Sequence, residues 1–182
     1  MKYELTTPRS TPVITVAEAK AHTVIDHDDD DALIAIYIEQ ATDYCQDYTG
    51  QTIGQQGYTV YGNTWCDVSV IPISHVQSIE VKYIDENDTE QTLPADKYTV
   101  DLRATPVTIE FVNDGTLPET SGDPNCITVS VVAGVSTLPS QLQAGIYLLT
   151  AHLYKEREAT GHNSIAEIPF GVRAFLDQVK AY

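Results

Sequence analysis

Asp28-Asp29-Asp30-Asp31-Ala32-Leu33-Ile34-Ala35-Ile36-Tyr37-Ile38-Glu39-Gln40-Ala41-Thr42-Asp43-Tyr44-Cys45-Gln46-Asp47-Tyr48-Thr49-Gly50 is the stretch on which the fold turns. Leu33, Ile34, Tyr37, Ile38, Ala41, Tyr44, Cys45 and Tyr48 recur at three- and four-residue spacing, so a helix here carries one wide apolar face. The four aspartates stand where a helix dipole favours negative charge and where carboxylates cap free amides. Gly50 stands where a left-handed residue ends a helix.

Upstream, Thr15 precedes Glu18 by three residues, the spacing of a capping box, and predicts a short helix over Val16–His22. Downstream, the period changes. Ile79, Val81 and Tyr83 alternate with Glu80 and Lys82, as in a half-buried antiparallel strand. Asp85-Glu86-Asn87-Asp88 reads as a hairpin tip and Thr89–Leu93 as the returning strand. Tyr98–Leu102, Val107–Val112 and Ile127–Ala133 follow the same pattern, and Tyr58–Tyr61 and Val68–Ile71 follow it more weakly. The glycines and prolines between Asn113 and Asn125 mark a loop.

The last region is helical again. Pro139 stands near a helix start with Thr137 as its cap. Leu142, Ile146, Leu149 and Leu153 form the apolar stripe, and Lys155 and Arg157 stand at the end that favours cations. Gly161 ends that helix, and Phe170–Val179 forms a final one. The expected class is therefore α+β. A helical bundle built from both chain ends (13–50 and 134–182) holds an inserted antiparallel β-sheet or small barrel (51–133), all within one domain of residues 1–182.

The composition narrows the function. At 182 residues the chain can bury roughly 70% of its extended surface, so it needs no staple. Cys45, Cys66 and Cys126 are odd in number and widely spaced, which argues for plain thiols over a disulfide framework or a zinc site. No apolar run approaches the ~20 residues of a membrane span. Met1–Pro12 is polar and lacks a secretory core, so synthesis in the cytosol is expected. Ten Lys and Arg against 26 Asp and Glu give a net charge of −16. So acidic a chain repels phosphate backbones and anionic membranes.

Motifs for catalysis are absent. There is no Gly-x-Ser-x-Gly, no Walker-type loop and no Gly-x-Gly-x-x-Gly. His152 and Glu156 are four apart but do not make His-Glu-x-x-His. Asp26, Asp28 and Asp30 open like a calcium loop, but Asp31 replaces its glycine and Tyr37 its closing glutamate. The expectation is no enzyme, no cofactor and no metal. Eleven tyrosines against three phenylalanines suit partly buried contacts with a wet edge. Trp65 is expected to pack on the sheet.

Ile14-Thr15-Val16-Ala17-Glu18-Ala19-Lys20-Ala21-His22, then Asp26-His27-Asp28-Asp29 and Tyr48-Thr49-Gly50, resemble the opening of the head–tail connector (head-completion adaptor) family of tailed bacteriophages. Ala151–Glu158 and Ile168–Leu176 resemble its ending, and Ile79–Ile84 and Tyr98–Asp101 resemble the β-insert of its longer members. The Gly115–Asn125 loop and Gly145, inside a helix, depart from the pattern. The resemblance implies a structural protein at the head–tail junction of a virion, assembled in the host cytoplasm. It implies a ring of about twelve copies between a portal protein and a tail-side stopper or completion protein, with DNA passing through unbound. Tyr154, Glu156, Arg157, Phe170, Gly171 and Arg173 match the closing motifs and are the expected assembly residues. Arg157 and Arg173 would be charge partners and Phe170 an apolar anchor. A different reading is an acidic phage module, such as a tail-completion or host-factor-binding protein, acting through the β-insert. A carboxylate-based hydrolase would need a concave pocket with perturbed carboxylates.

Overall fold

The computed structural model describes residues 2–104, 106–112, 117–135, 137–156 and 170–180. Among them are four helices and two antiparallel sheets. The chain divides into two compact units, Met1–Ser10 with Gly54–Val135 and Thr11–Ile53 with Ser136–Tyr182.

In the helical unit, α1 spans Val16–Thr23 and α2 Asp31–Thr49. The expected capping box is present: the Thr15 hydroxyl accepts from the Glu18 amide, and the Glu18 carboxylate accepts from the Thr15 amide at 2.7 Å. Gly50 closes α2 at φ 68°. The buried face of α2 is Ile34, Ile38, Ala41, Thr42, Cys45 and Thr49, with Leu33, Tyr37, Tyr44 and Tyr48 at its half-buried margin. Two threonines sit in that core because each hydroxyl donates to a carbonyl one turn back, Thr42 to Ile38 and Thr49 to Cys45, both at 2.7 Å.

The aspartate run behaves differently from expectation. Asp30 is the N-cap residue but its side chain caps nothing. Instead Lys20 Nζ bridges Asp28 at 2.5 Å and Asp31 at 2.7 Å. The run ties α1 to the start of α2, and only Asp31 lies in the first turn to meet the dipole.

Helix α3 spans Ser140–Lys155 and α4 spans Phe170–Leu176. Pro139 itself is the N-cap residue of α3, with no side-chain cap, so Thr137 does not fill that role. Gly161 and the loop expected around it lie outside the described residues. Leu142, Ile146 and Leu149 are buried as their spacing predicts, against Val172 and Leu176 of α4. Gly145 has a packing reason: a Cβ there would lie 2.9 Å from Leu176 Cδ2. The residue that weakens α3 as a helix lets α4 approach closely.

In the β unit, β1 (Lys2–Thr7), β2 (Gln56–Gly62), β4 (Val76–Ile84), β5 (Glu90–Thr92) and β8 (Ile127–Ala133) form one sheet in the order β1-β2-β8-β4-β5. A second sheet has the order β3-β7-β6, from Val70–Ile71, Val107–Phe111 and Tyr98–Asp101. Residues of both sheets share one core that includes Val60, Val81, Val129, Ile71 and Ile109. Trp65 packs on that core, with ring centroids 5.7 Å from Tyr83 and 5.3 Å from Phe111. The strand missing from the sequence reading is β1, in a stretch the periodicity leaves with the helical region.

Cys45 and Cys126 are buried and Cys66 is exposed. Burial pushes the Cys45 thiol up to about 12. A thiol-labelling assay on the folded protein is therefore expected to modify Cys66 quickly, and the other two only after denaturation. Rapid labelling of all three in the native state would contradict this packing.

Candidate assembly surface

The tail of α3 and all of α4 carry the residues singled out in the sequence. Tyr154, half-buried in the last turn of α3, donates its hydroxyl to Asp30 Oδ2 at 2.6 Å, so the end of α3 is fastened to the start of α2. Glu156 follows the helix; its side is exposed and its amide donates to the His152 carbonyl at 2.9 Å. Arg157 lies outside the described residues. Phe170 opens α4, but its side chain also lies outside them.

Helix α4 is amphipathic over a short length. Val172 and Leu176 are fully buried in the helical core. Gly171, Ala174, Phe175 and Gln178 are exposed, and a Cβ on Gly171 would meet nothing within 4 Å. Arg173 is half-buried, and its Nε has no acceptor among the described residues.

A cluster that the sequence reading did not assemble surrounds Tyr48. Its hydroxyl donates to Asp177 Oδ1 at 2.7 Å, and that bond to a carboxylate holds the phenol above its usual range. The Arg173 charge works in the opposite direction on the same phenol. Lys180 Nζ lies 5.1 Å from the Tyr48 ring centroid, and the Tyr44 ring stacks on Tyr48 with centroids 5.9 Å apart. Gln51 donates to the Val179 carbonyl. The C-terminal segment is thus bound to α2 by charge, ring and amide contacts. Arg173 joins this cluster, whereas Tyr154 is engaged with Asp30. The signal that could have found it is the edge position of Tyr44 and Tyr48 on α2; the partners of Tyr48 at the C-terminal end are over a hundred residues away.

These groups hold the C-terminal segment against α2. Among the described residues no three His, Cys, Asp or Glu side chains gather where a metal ion could bind. None of the helices described is long and apolar enough to cross a membrane. A small polar cleft in the β unit is lined by Lys2, Tyr61, Asn63, Asp67 and Asn125. Its carboxylate is already occupied: Asp67 Oδ2 accepts from the amides of Asn63 and Thr64, each at 3.0 Å.

Those two amides hold the Asp67 carboxyl below its ordinary range, and the amides of Thr89 and Asn87 do the same for Asp85. A carboxylate with a lowered folded pKa stabilises the fold fully above the unfolded value, at pH ~4, and loses that contribution as pH falls through the lower folded value. Stability measured by urea unfolding is therefore expected to hold down to pH ~4 and to fall below it. Asp67→Asn should flatten that fall; an unchanged acid profile in the variant would contradict the assignment.

Known proteins bear on this geometry. Residues 13–100 match the family described as Phage gp6-like head-tail connector protein. A chain in the virion of a native gene transfer agent (GTA) particle superposes with a TM-score of 0.80 at 21% identity, covering 100% of this chain and 96% of that one. A chain in the neck of an empty GTA particle computed with C6 symmetry gives 0.76 at 20% identity, covering 100% and 96%. A chain in the neck of a native GTA particle computed with C12 symmetry gives 0.74 at 21% identity, with the same coverage. At these identities the likeness establishes the fold. No curated protein matches the chain in sequence.

Proposed function

On the premise that residues 13–100 make this chain a member of the phage gp6-like head–tail connector family, we propose that it is a structural connector at the head–tail junction of a virion. The family match is the observation that carries the reading. The whole-chain likeness to chains from GTA necks supports it.

The finer picture is a ring of about twelve copies between a portal protein and a tail-side stopper or completion protein. Each copy is one connector domain, in which a helical bundle from both chain ends carries the β-insert. DNA passes through the ring, and a net charge of −16 lets it slide without sticking. Tyr154, Glu156, Arg157, Phe170, Gly171 and Arg173 serve the contacts between copies and with the portal. Their support is location: the described ones lie on the end of α3 and on α4, beside the exposed face of Gly171, Ala174 and Phe175. A role as an acidic module acting only through the β-insert is less consistent with a family match that begins in the helical unit.

The test is co-expression with a portal protein from the same genome, followed by native mass spectrometry. A stable complex of the portal ring with a multiple of this chain near twelve is expected. A protein that stays monomeric and ignores the portal would overturn the reading.

A further inference from the structure

The five-stranded sheet has two open edges, and β1 is an unusual one. All six of its residues are exposed, and it pairs only with β2 among the described residues. Tyr3 stands opposite Val60 and Leu5 opposite Tyr58, so both lie on the side of the sheet that faces the core. Val60 is 0% exposed and Tyr58 9%, yet Tyr3 and Leu5 are 52% and 51% exposed. The core ends before it reaches them. Natural proteins blunt free edges with proline, bulges or charges because a bare edge pairs with another chain. In β1 the charges, Lys2 and Glu4, lie on the outer face and the bulge comes only between Leu5 and Thr7, so neither device covers the side that carries Tyr3 and Leu5.

The opposite edge is β5, whose three residues are all exposed and which pairs only with β4. Every pairing in the sheet is antiparallel and there are five strands, so β1 and β5 run in the same direction. Copies related by rotation about one axis keep their direction along it. The β5 edge of one copy can therefore join the β1 edge of the next as a parallel pair without reversing either copy. A head-to-tail contact of this kind is what a closed ring requires. The charges allow it: Lys2, opposite Tyr61, and Glu90, opposite Ile84, both lie on the outer face of the sheet, and the exposed Glu90 carboxylate, which accepts from Lys82 Nζ of its own chain at 3.3 Å, has a second oxygen to offer.

We propose that β1 is the docking strand for a second copy of this chain, taking the β5 edge of its neighbour, with Tyr3 and Leu5 covered in the contact and Lys2 facing Glu90 of the next copy. The proposal rests on the connector reading and names one lateral contact of its ring. The test compares ring formation on the portal, by native mass spectrometry, for the wild-type chain, Tyr3→Lys/Leu5→Lys, Lys2→Glu, Glu90→Lys and Lys2→Glu/Glu90→Lys. Tyr3→Lys/Leu5→Lys is expected to lower ring occupancy at least tenfold while its circular dichroism and thermal midpoint stay those of the wild type, because neither side chain is in the core. Each single charge reversal should weaken the ring, and the combined reversal should restore it. Full occupancy with Tyr3→Lys/Leu5→Lys would overturn the β1 contact and leave the connector reading standing. Failure of the combined reversal to restore the ring would also overturn the pairing. So would rings of normal size that no longer hold the portal, since β1 would then receive the portal and not a copy. A wild-type chain that forms no ring would overturn the inference and the connector reading together.

Discussion

Gly134→Ala is expected to abolish cooperative folding of the β unit. Gly134 has φ 135°, a region L side chains rarely adopt. A Cβ there would lie 1.8 Å from the Gly54 carbonyl oxygen and 2.5 Å from its carbon, so it would meet backbone and not a side chain that could turn aside. The position is held from both sides. The Gly134 amide donates to the His75 carbonyl at 2.9 Å, and its own carbonyl accepts from Gln77 Nε2 at 2.7 Å. Nearby, the Gly54 amide donates to the Val135 carbonyl at 3.3 Å. One methyl group forces these bonds apart where the chain leaves β8. The expected loss exceeds ~4 kcal/mol, the range reserved for strain and broken buried networks. Against a total stability of roughly 5–15 kcal/mol this leaves little folded protein. Near-ultraviolet circular dichroism and urea unfolding would show it as a lost or strongly shifted transition. A shift below ~1 kcal/mol would contradict the Gly54–Gly134 contact.

Gly145→Leu is the second large effect, and it separates folding from assembly. A Cβ alone would meet Leu176 Cδ2 at 2.9 Å and Cγ at 3.4 Å, and a full leucine needs the space that Leu176 occupies. Helix α4 is held in the core by Val172 and Leu176, each contributing ~1.5–3 kcal/mol on burial. Displacing them outweighs the ~1 kcal/mol gained by replacing glycine within a helix. The expected product keeps α1 to α3 and the β unit, releases the C-terminal segment to protease, and no longer enters the ring. Gly145→Ala is the control. Its one methyl meets the far end of a flexible side chain, so stability should stay within ~1 kcal/mol of the wild type. Proteolytic release by Gly145→Ala as fast as by Gly145→Leu, or full assembly by Gly145→Leu, would refute this account of α4.

Much of the fold was legible because its signals are local. The 3.6-residue period of α2, the Thr15–Glu18 box, Gly50 and the alternation through Ile79–Tyr83 each express the physics of the segment that contains them. Every strand from β2 to β8 falls within or overlaps a run marked by alternation or turn residues. What was hidden depends on distant partners. Strand β1 is six exposed residues whose only order comes from its register with β2. Thr42 and Thr49 look like surface residues until their hydroxyls are seen to satisfy their own helix. The aspartate run reads as a cap, but Lys20, eight residues before Asp28, claims it instead.

The candidate surface divides in the same way. Resemblance pointed to the end of α3 and to α4 as the assembly elements. The Tyr48–Asp177 bond, with Arg173 and Lys180 around the same ring, joins α2 to a segment 129 residues away and has no spacing to announce it. Gly145 stood out as a poor helix residue, and only the position of Leu176 gives the reason.

The central claim is that this chain forms a ring at the junction of head and tail. The most direct measurement is cryo-electron microscopy of particles purified from the parent element carrying a tagged copy of the chain. The account predicts a ring of about twelve tagged copies between the portal and the tail, around the DNA path. A tag elsewhere on the particle, or absent from it, would contradict the claim.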